Sequence, residues 1–219
     1  MAPARARILA AVVALLSQSV RVQAQCSVSG TTTISNTAQA SALSSCTTFS
    51  GSVAVATDVS GDLRFDVPKK ITGDLVVDKN RVLTSLFIDD LGEIGGGFVL
   101  GDFPALSRFR LWSLTIVGTI DWHDLPKIGA NETGWYDWWH VKNMSIVRTT
   151  IPSISAWQLD SLDNLEIMDN WGLYWVDLGV ETISHLHIAS NAPNLDALVE
   201  RYNIPLRALY SIYYTSTYY

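Results

Sequence analysis

Asp121, Ser145, Glu166 and His187 recur along the chain at intervals of 24, 21 and 21 residues. Each sits between two apolar residues, Ile120/Trp122, Met144/Ile146, Leu165/Ile167 and Leu186/Ile188. On a strand this alternation sends the flanking pair to one side and the central residue to the other. Strands stacked about 4.8 Å apart would separate Asp121 and Glu166, two layers from each other, by roughly 9 to 10 Å. That spacing lies near the upper end of the acid–base separation in an inverting glycosidase. Acid catalysis also requires one carboxyl whose pKa is raised by burial, and an outward strand face supplies no burial. The expectation is therefore a solvated polar face with no catalytic residue.

Other chemistry-bearing residues give weaker signals. His185 and His187 share a strand face but lack a third ligand, so no metal site is expected. Asp62 and Asp74 occur in Gly-Asp-Leu contexts without the glycine-rich nonapeptide that binds calcium. Gly95-Gly96-Gly97 lies within a strand pattern and fits close backbone packing better than a phosphate cradle. The run Trp135-Tyr136-Asp137-Trp138-Trp139-His140 is the most aromatic segment. Its rings suit stacking on sugar faces, which makes Trp135, Tyr136, Trp138 and Trp139 the candidate glycan-binding residues. The competing reading folds some of them inward as a plug.

A repeat must position these residues. The pattern apolar-x-Gly-x-apolar-x-apolar begins at Phe49, Ile71, Ile94 and Ile116, at intervals of 22, 23 and 22 residues. Its glycines, Gly51, Gly73, Gly96 and Gly118, are expected to admit a turn costly to other residues. The apolar pairs Val53/Val55, Leu75/Val77 and Phe98/Leu100 precede the four named above, giving seven registers. A second series, Leu63/Phe65, Leu86/Ile88, Phe109/Leu111 and, after a gap, Val176/Leu178, implies at least two strands per period. Units this small bury their apolar faces only by stacking. The expected fold is mainly β, a right-handed parallel β-solenoid. Asp58, Asn80, Asn170 and Asn191 each fall three residues after the second apolar position, where stacked turns would form a partial Asn/Asp ladder and tolerate left-handed backbone.

The termini and composition bound the setting. Residues 1–24 read as a secretory signal, with Arg5 and Arg7 before the apolar run Ile8 to Leu16 and a small-residue cleavage site at Val22-Gln23-Ala24. One solenoid domain is expected over residues 25–200, followed by an aromatic tail over residues 201–219. Cys26 and Cys46 are the only cysteines, and an oxidising export route favours their pairing. Between them Asn36 is placed to cap a short helix from Thr37 to Ser45, forming an N-terminal lid over the first strand edge. Asn131 and Asn143 head two N-glycosylation sequons. A net charge of −6 argues against nucleic-acid and anionic-membrane partners.

Cys26-Ser27 with Thr31-Thr32-Thr33-Ile34, the helix ending in Cys46, and Gly51-Ser52-Val53 resemble the start of the fungal GPI-anchored cell-wall organisation proteins. Ile71-Thr72-Gly73-Asp74-Leu75, Leu83-Thr84-Ser85-Leu86 and Ile94-Gly95-Gly96 look like that family's leucine-rich, receptor L-domain-like repeats. The likeness runs from about Cys26 to Leu198. It implies a surface glycoprotein needed for wall integrity, with cell-wall polysaccharide or wall proteins as partners and no cofactor. The tyrosine-rich end from Leu209 to Tyr219 lacks the features of a GPI signal, so the family's membrane anchor is not expected from it. The expected function is non-enzymatic support of the wall from an extracellular or cell-surface position. The alternatives are a polysaccharide-active enzyme of β-helix type and a glycan-binding or adhesion module.

Overall fold

The computed structural model describes residues 26–65, 68–128, 140–156, 159, 161–173, 175–178, 180, 182–189, 191 and 211–213. The secretory signal, the first sequon asparagine Asn131, the aromatic residues Trp135, Tyr136, Trp138 and Trp139, and most of the C-terminal segment lie outside these.

The seven expected registers fall in one sheet and pair in parallel. The strands are β1 (Ser27–Ile34), β2 (Thr48–Val55), β4 (Lys70–Ile71) with β5 (Leu75–Asp78), β7 (Glu93–Gly101), β9 (Ile116–Leu125), β10 (His140–Thr149), β12 (Ser161–Met168), β14 (Thr182–Ala189) and β15 (Ser211–Tyr213). Between them run β3 (Gly61–Arg64), β6 (Leu83–Ile88) and β8 (Arg108–Leu111) as a second, three-stranded sheet. Later in the chain β11 (Ser153–Ala156) and β13 (Trp175–Leu178) form a two-stranded one. The result is a parallel β-solenoid. Residues Leu75, Phe98, Ile120, Met144, Leu165 and Leu186 pair from coil to coil and stack into one buried column. Trp122 is fully buried and meets Phe98 and Phe109 edge-on, with ring centroids 5.8 and 5.4 Å away, so the two sheets are locked through interleaved aromatics.

Gly51, with φ of 135°, keeps the backbone geometry expected of the repeat glycines, but Gly73 and Gly118 have a different reason. A Cβ on Gly118 would lie 2.7 Å from the Gly96 carbonyl oxygen, and one on Gly73 would lie 2.7 Å from that of Gly51. Gly73 and Gly118 sit where successive coils touch backbone to backbone, and their φ angles are not left-handed. The constraint is close approach rather than turn geometry. The fourth copy also shifts by one residue: Ile94 pairs with Val117, which is buried, whereas Ile116 is 36% exposed. Between Ile94 and Gly97 the register slips, so the triple glycine absorbs an extra residue as a bulge.

The corners at the ends of β5, β7, β9, β10 and β12 divide two jobs that the sequence reading assigned to one residue. Left-handed backbone occurs at Lys79, Asp102, Asp124, Arg148 and Asp169, with φ of 57°, 56°, 55°, 53° and 56°. The ladder position follows immediately. There Asn80 is fully buried; its Nδ2 donates to the carbonyls of Ala56 and Val59, and its Oδ1 accepts from the amides of Val82 and Leu83. Asn170, also fully buried, donates to Ile146 O and to Asn191 Oδ1, and accepts from Thr149. Asn191 repeats the pattern by donating to Ile167 O. Asp58 is exposed and plays no such part, and the buried ring of Phe103 fills the position one coil beyond Asn80. The ladder satisfies backbone groups that the corner would otherwise bury unpaired.

At the N-terminal end Cys26 and Cys46 are joined, with Cα atoms 5.6 Å apart. Helix α1 (Thr37–Leu43) buries Ala40 and Leu43 and touches β1 and β3. Asn36 Oδ1 caps it by accepting from the Gln39 amide at 2.9 Å, while Gln39 Oε1 accepts from the Ser35 amide. The helix stops two residues before the expected Ser45. The Ser44 and Ser45 hydroxyls instead donate back to the carbonyls of Ser41 and Ala42. Among the described residues no helix is long and apolar enough to cross a membrane.

Candidate site on the polar face of the large sheet

The outward column is assembled as the alternation requires: Val99 pairs with Asp121, Asp121 with Ser145, Ser145 with Glu166, and Glu166 with His187. The same column is apolar at Ala54, Val76 and Val99, so polarity begins at β9. Ser145 Oγ donates to Glu166 Oε2 at 2.9 Å, and Glu166 Oε1 lies 3.6 Å from His187 Nδ1. Asp121 turns along its own strand, where its Oδ1 is 3.2 Å from His123 Nδ1.

The chemistry of this arrangement follows from exposure. The side chains of Asp121 and Glu166 are 44% and 40% exposed. Both carboxylates are therefore hydrated on an open face rather than enclosed in a cleft. What the face offers is a row of donors and acceptors along the solenoid axis. Beside it Asn164 donates to Asn143 Oδ1 at 2.6 Å, and Asn143 Nδ2 is 3.5 Å from Thr119 Oγ1. The sequon at Asn143 thus lies on the same outward face, two residues before Ser145. His185 is placed on that face too, with Nδ1 3.2 Å from Asp163 O. Among the described residues no group of three or more His, Cys, Asp or Glu side chains could hold a metal ion.

Two features were missed in the sequence. His123 Nε2 reaches to 3.9 Å from Asp78 Oδ1, across the coil of Gly101, so the imidazole stands between two carboxylates. At the corner Asp124 and Arg148 form a two-point pair, with Arg148 Nε and Nη2 donating at 2.6 and 2.7 Å. Hydrogen bonds from Arg148 hold Asp124 below the usual carboxylate range; partial burial opposes them, and the charges of Arg148 and His123 add to the lowering. The Asp62 and Asp74 contexts are structural. Asp62 pairs with Arg108 at 2.9 Å, and Asp74 Oδ1 accepts from the Gly97 amide at 2.7 Å.

A stacked β-sheet prism with a polar outer face belongs to the class of solenoid proteins that display a repeated surface along one axis. Two curated fungal proteins are similar in sequence. The protein ecm33 of Aspergillus fumigatus is 27% identical over 155 residues, covering 68% of this chain and 37% of that protein. The cell wall protein ecm33 of Schizosaccharomyces pombe is 27% identical over 186 residues, covering 81% of this chain and 43% of that protein. The chain thus spans less than half the length of either relative. These likenesses support the fungal cell-wall organisation family as the one this chain resembles. No protein-family model matches, and no solved structure matches with significance.

Proposed function

We propose that this chain is a non-enzymatic, secreted glycoprotein that supports fungal cell-wall organisation and integrity from the wall or cell surface. The observation that carries the reading is the likeness to the two ecm33 proteins, one of them named for the cell wall. Two physical features agree with it. The Cys26–Cys46 bridge fits an oxidising export route. The outward column from Asp121 to His187 offers hydrated hydrogen-bonding groups at regular spacing, which suits binding better than acid catalysis. The partners are wall polysaccharide or wall protein. Glycans on Asn131 and Asn143, and the aromatic loop of Trp135, Tyr136, Trp138 and Trp139, belong to the same proposal.

Removing the protein from its source cells tests this reading. Those cells should become more sensitive to wall-binding dyes and to glucanase, and the protein should fractionate with the wall in cells that keep it. Unchanged sensitivity together with absence from the wall fraction would contradict the proposal.

A further inference from the structure

The outer face of the second sheet carries a cluster that the polar column does not share. Arg64, Phe87 and Arg110 pair across β3, β6 and β8, so they stack along the solenoid axis. The guanidinium carbons of Arg64 and Arg110 lie 5.5 and 4.9 Å from the Phe87 ring centroid. Arg110 also lies over the Trp112 ring at 4.4 Å. Asp89 holds Arg110 in place, its two oxygens accepting from Nε at 2.7 Å and from Nη2. An interleaved ladder of cation and ring results, and its last member, Trp112, is 72% exposed.

We propose that this ladder is a binding platform for a pyranose-containing polysaccharide, with Trp112 as its stacking surface. Two properties point to that ligand class. The indole is large, apolar and open to water, yet fixed by a guanidinium that is itself pinned at two points, so stacking a sugar's C–H face costs little ordering. At the other end of the strand Arg108, whose guanidinium lies 5.8 Å from the Phe87 ring centroid, pairs with Asp62 at 2.9 and 3.1 Å and sets a donor beside an acceptor, the combination that adjacent ring hydroxyls require. Three strands about 4.8 Å apart span roughly 10 Å, the reach of a short oligosaccharide rather than one sugar. The proposal deepens the wall reading above and rests on it for the source of the polysaccharide.

Trp171 supplies the control. It is 69% exposed, and among the described residues no cation stacks on it. Calorimetric titration of the secreted, glycosylated protein with soluble β-1,3-gluco-oligosaccharides and with chito-oligosaccharides tests the platform. The unaltered protein should bind at least one series. Trp112→Ala should weaken that binding about tenfold or more, Arg110→Lys should weaken it less, and Trp171→Ala should leave it unchanged. Both tryptophans are exposed, so matching thermal midpoints show that the variants fold. Equal affinity for Trp112→Ala, equal loss for Trp171→Ala, or no binding by the unaltered protein would overturn the platform. A Trp112→Ala protein that keeps its oligosaccharide affinity and is still retained on isolated walls removes the platform and leaves the wall role standing. An unaltered protein absent from walls removes the wall role itself.

Discussion

His123 and Asp78 belong to coils two apart, yet Nε2 of the one lies 3.9 Å from Oδ1 of the other. They meet because the residue between them is Gly101, whose missing side chain leaves room for the imidazole. Gly101→Ala should therefore destabilise the protein by about 1 kcal/mol, since the new methyl would meet the His123 ring and the Asp78 carboxylate, both side-chain ends that can rotate partly away. Chemical denaturation measures this. His123→Ala in the same background should restore part of the loss, and identical midpoints for Gly101→Ala and the parent would refute the packing argument.

The ladder asparagines make a sharper demand. Asn80 engages four backbone groups with no exposure, so Asn80→Ala should cost at least about 2 kcal/mol through buried groups left unpaired. Asp58→Ala, on the exposed counterpart, should cost under about 0.5 kcal/mol. Similar costs at both sites would show that the corner is held by something else.

Acid should weaken the fold in part through Asp124. Its folded pKa lies below the ordinary value of about 3.9, so its contribution is present above that pH and is lost as pH falls through the folded pKa. Asp124→Asn should lower stability near neutral pH and flatten the decline between about pH 4 and the acid limit. A denaturation series against pH reads both effects, and an acid limb as steep as the parent's would count against the pair. The pair is half-exposed, so added salt should reduce its effect.

Joining Cys26 to Cys46 constrains a short segment that includes α1. Replacing both with serine should cost roughly 3 kcal/mol on the chain-entropy view. Loss of helix α1 and earlier proteolysis near Thr37 should accompany it, and protease mapping that finds this region as resistant as before would contradict the lid role.

Asn143 lies on the outward face of β10, where an attached glycan would project from the sheet. Asn143→Gln and Asn131→Gln should each shorten the enzymatically removable mass by one glycan in protein from a eukaryotic secretory host. A mass unaffected by either change would remove the glycoprotein assignment.

Much of this architecture is legible in the chain because strand alternation has a period of two and every coil repeats it. Val53/Val55 through Leu186/Ile188 could be aligned by eye, and their alignment fixed the order Asp121, Ser145, Glu166, His187. The failures occur where backbone geometry departs from side-chain pattern. Ile116 and Val117 are both apolar, and only the bulge at Gly95–Gly97 decides which of them turns inward. Lys79 and Arg148 adopt left-handed φ that their residue types do not advertise, one position before the buried polar side chains of Asn80 and Thr149. The platform of Arg64, Phe87 and Arg110 obeyed the same alternation, in the second strand series. There the central residues were mixed in charge and aromaticity, so no single residue type marked the column.

Retention of the secreted, glycosylated protein on isolated fungal cell walls, compared with an inert secreted protein of similar charge, tests the central claim most directly. The account predicts saturable retention above the control. Retention no greater than the control would contradict it.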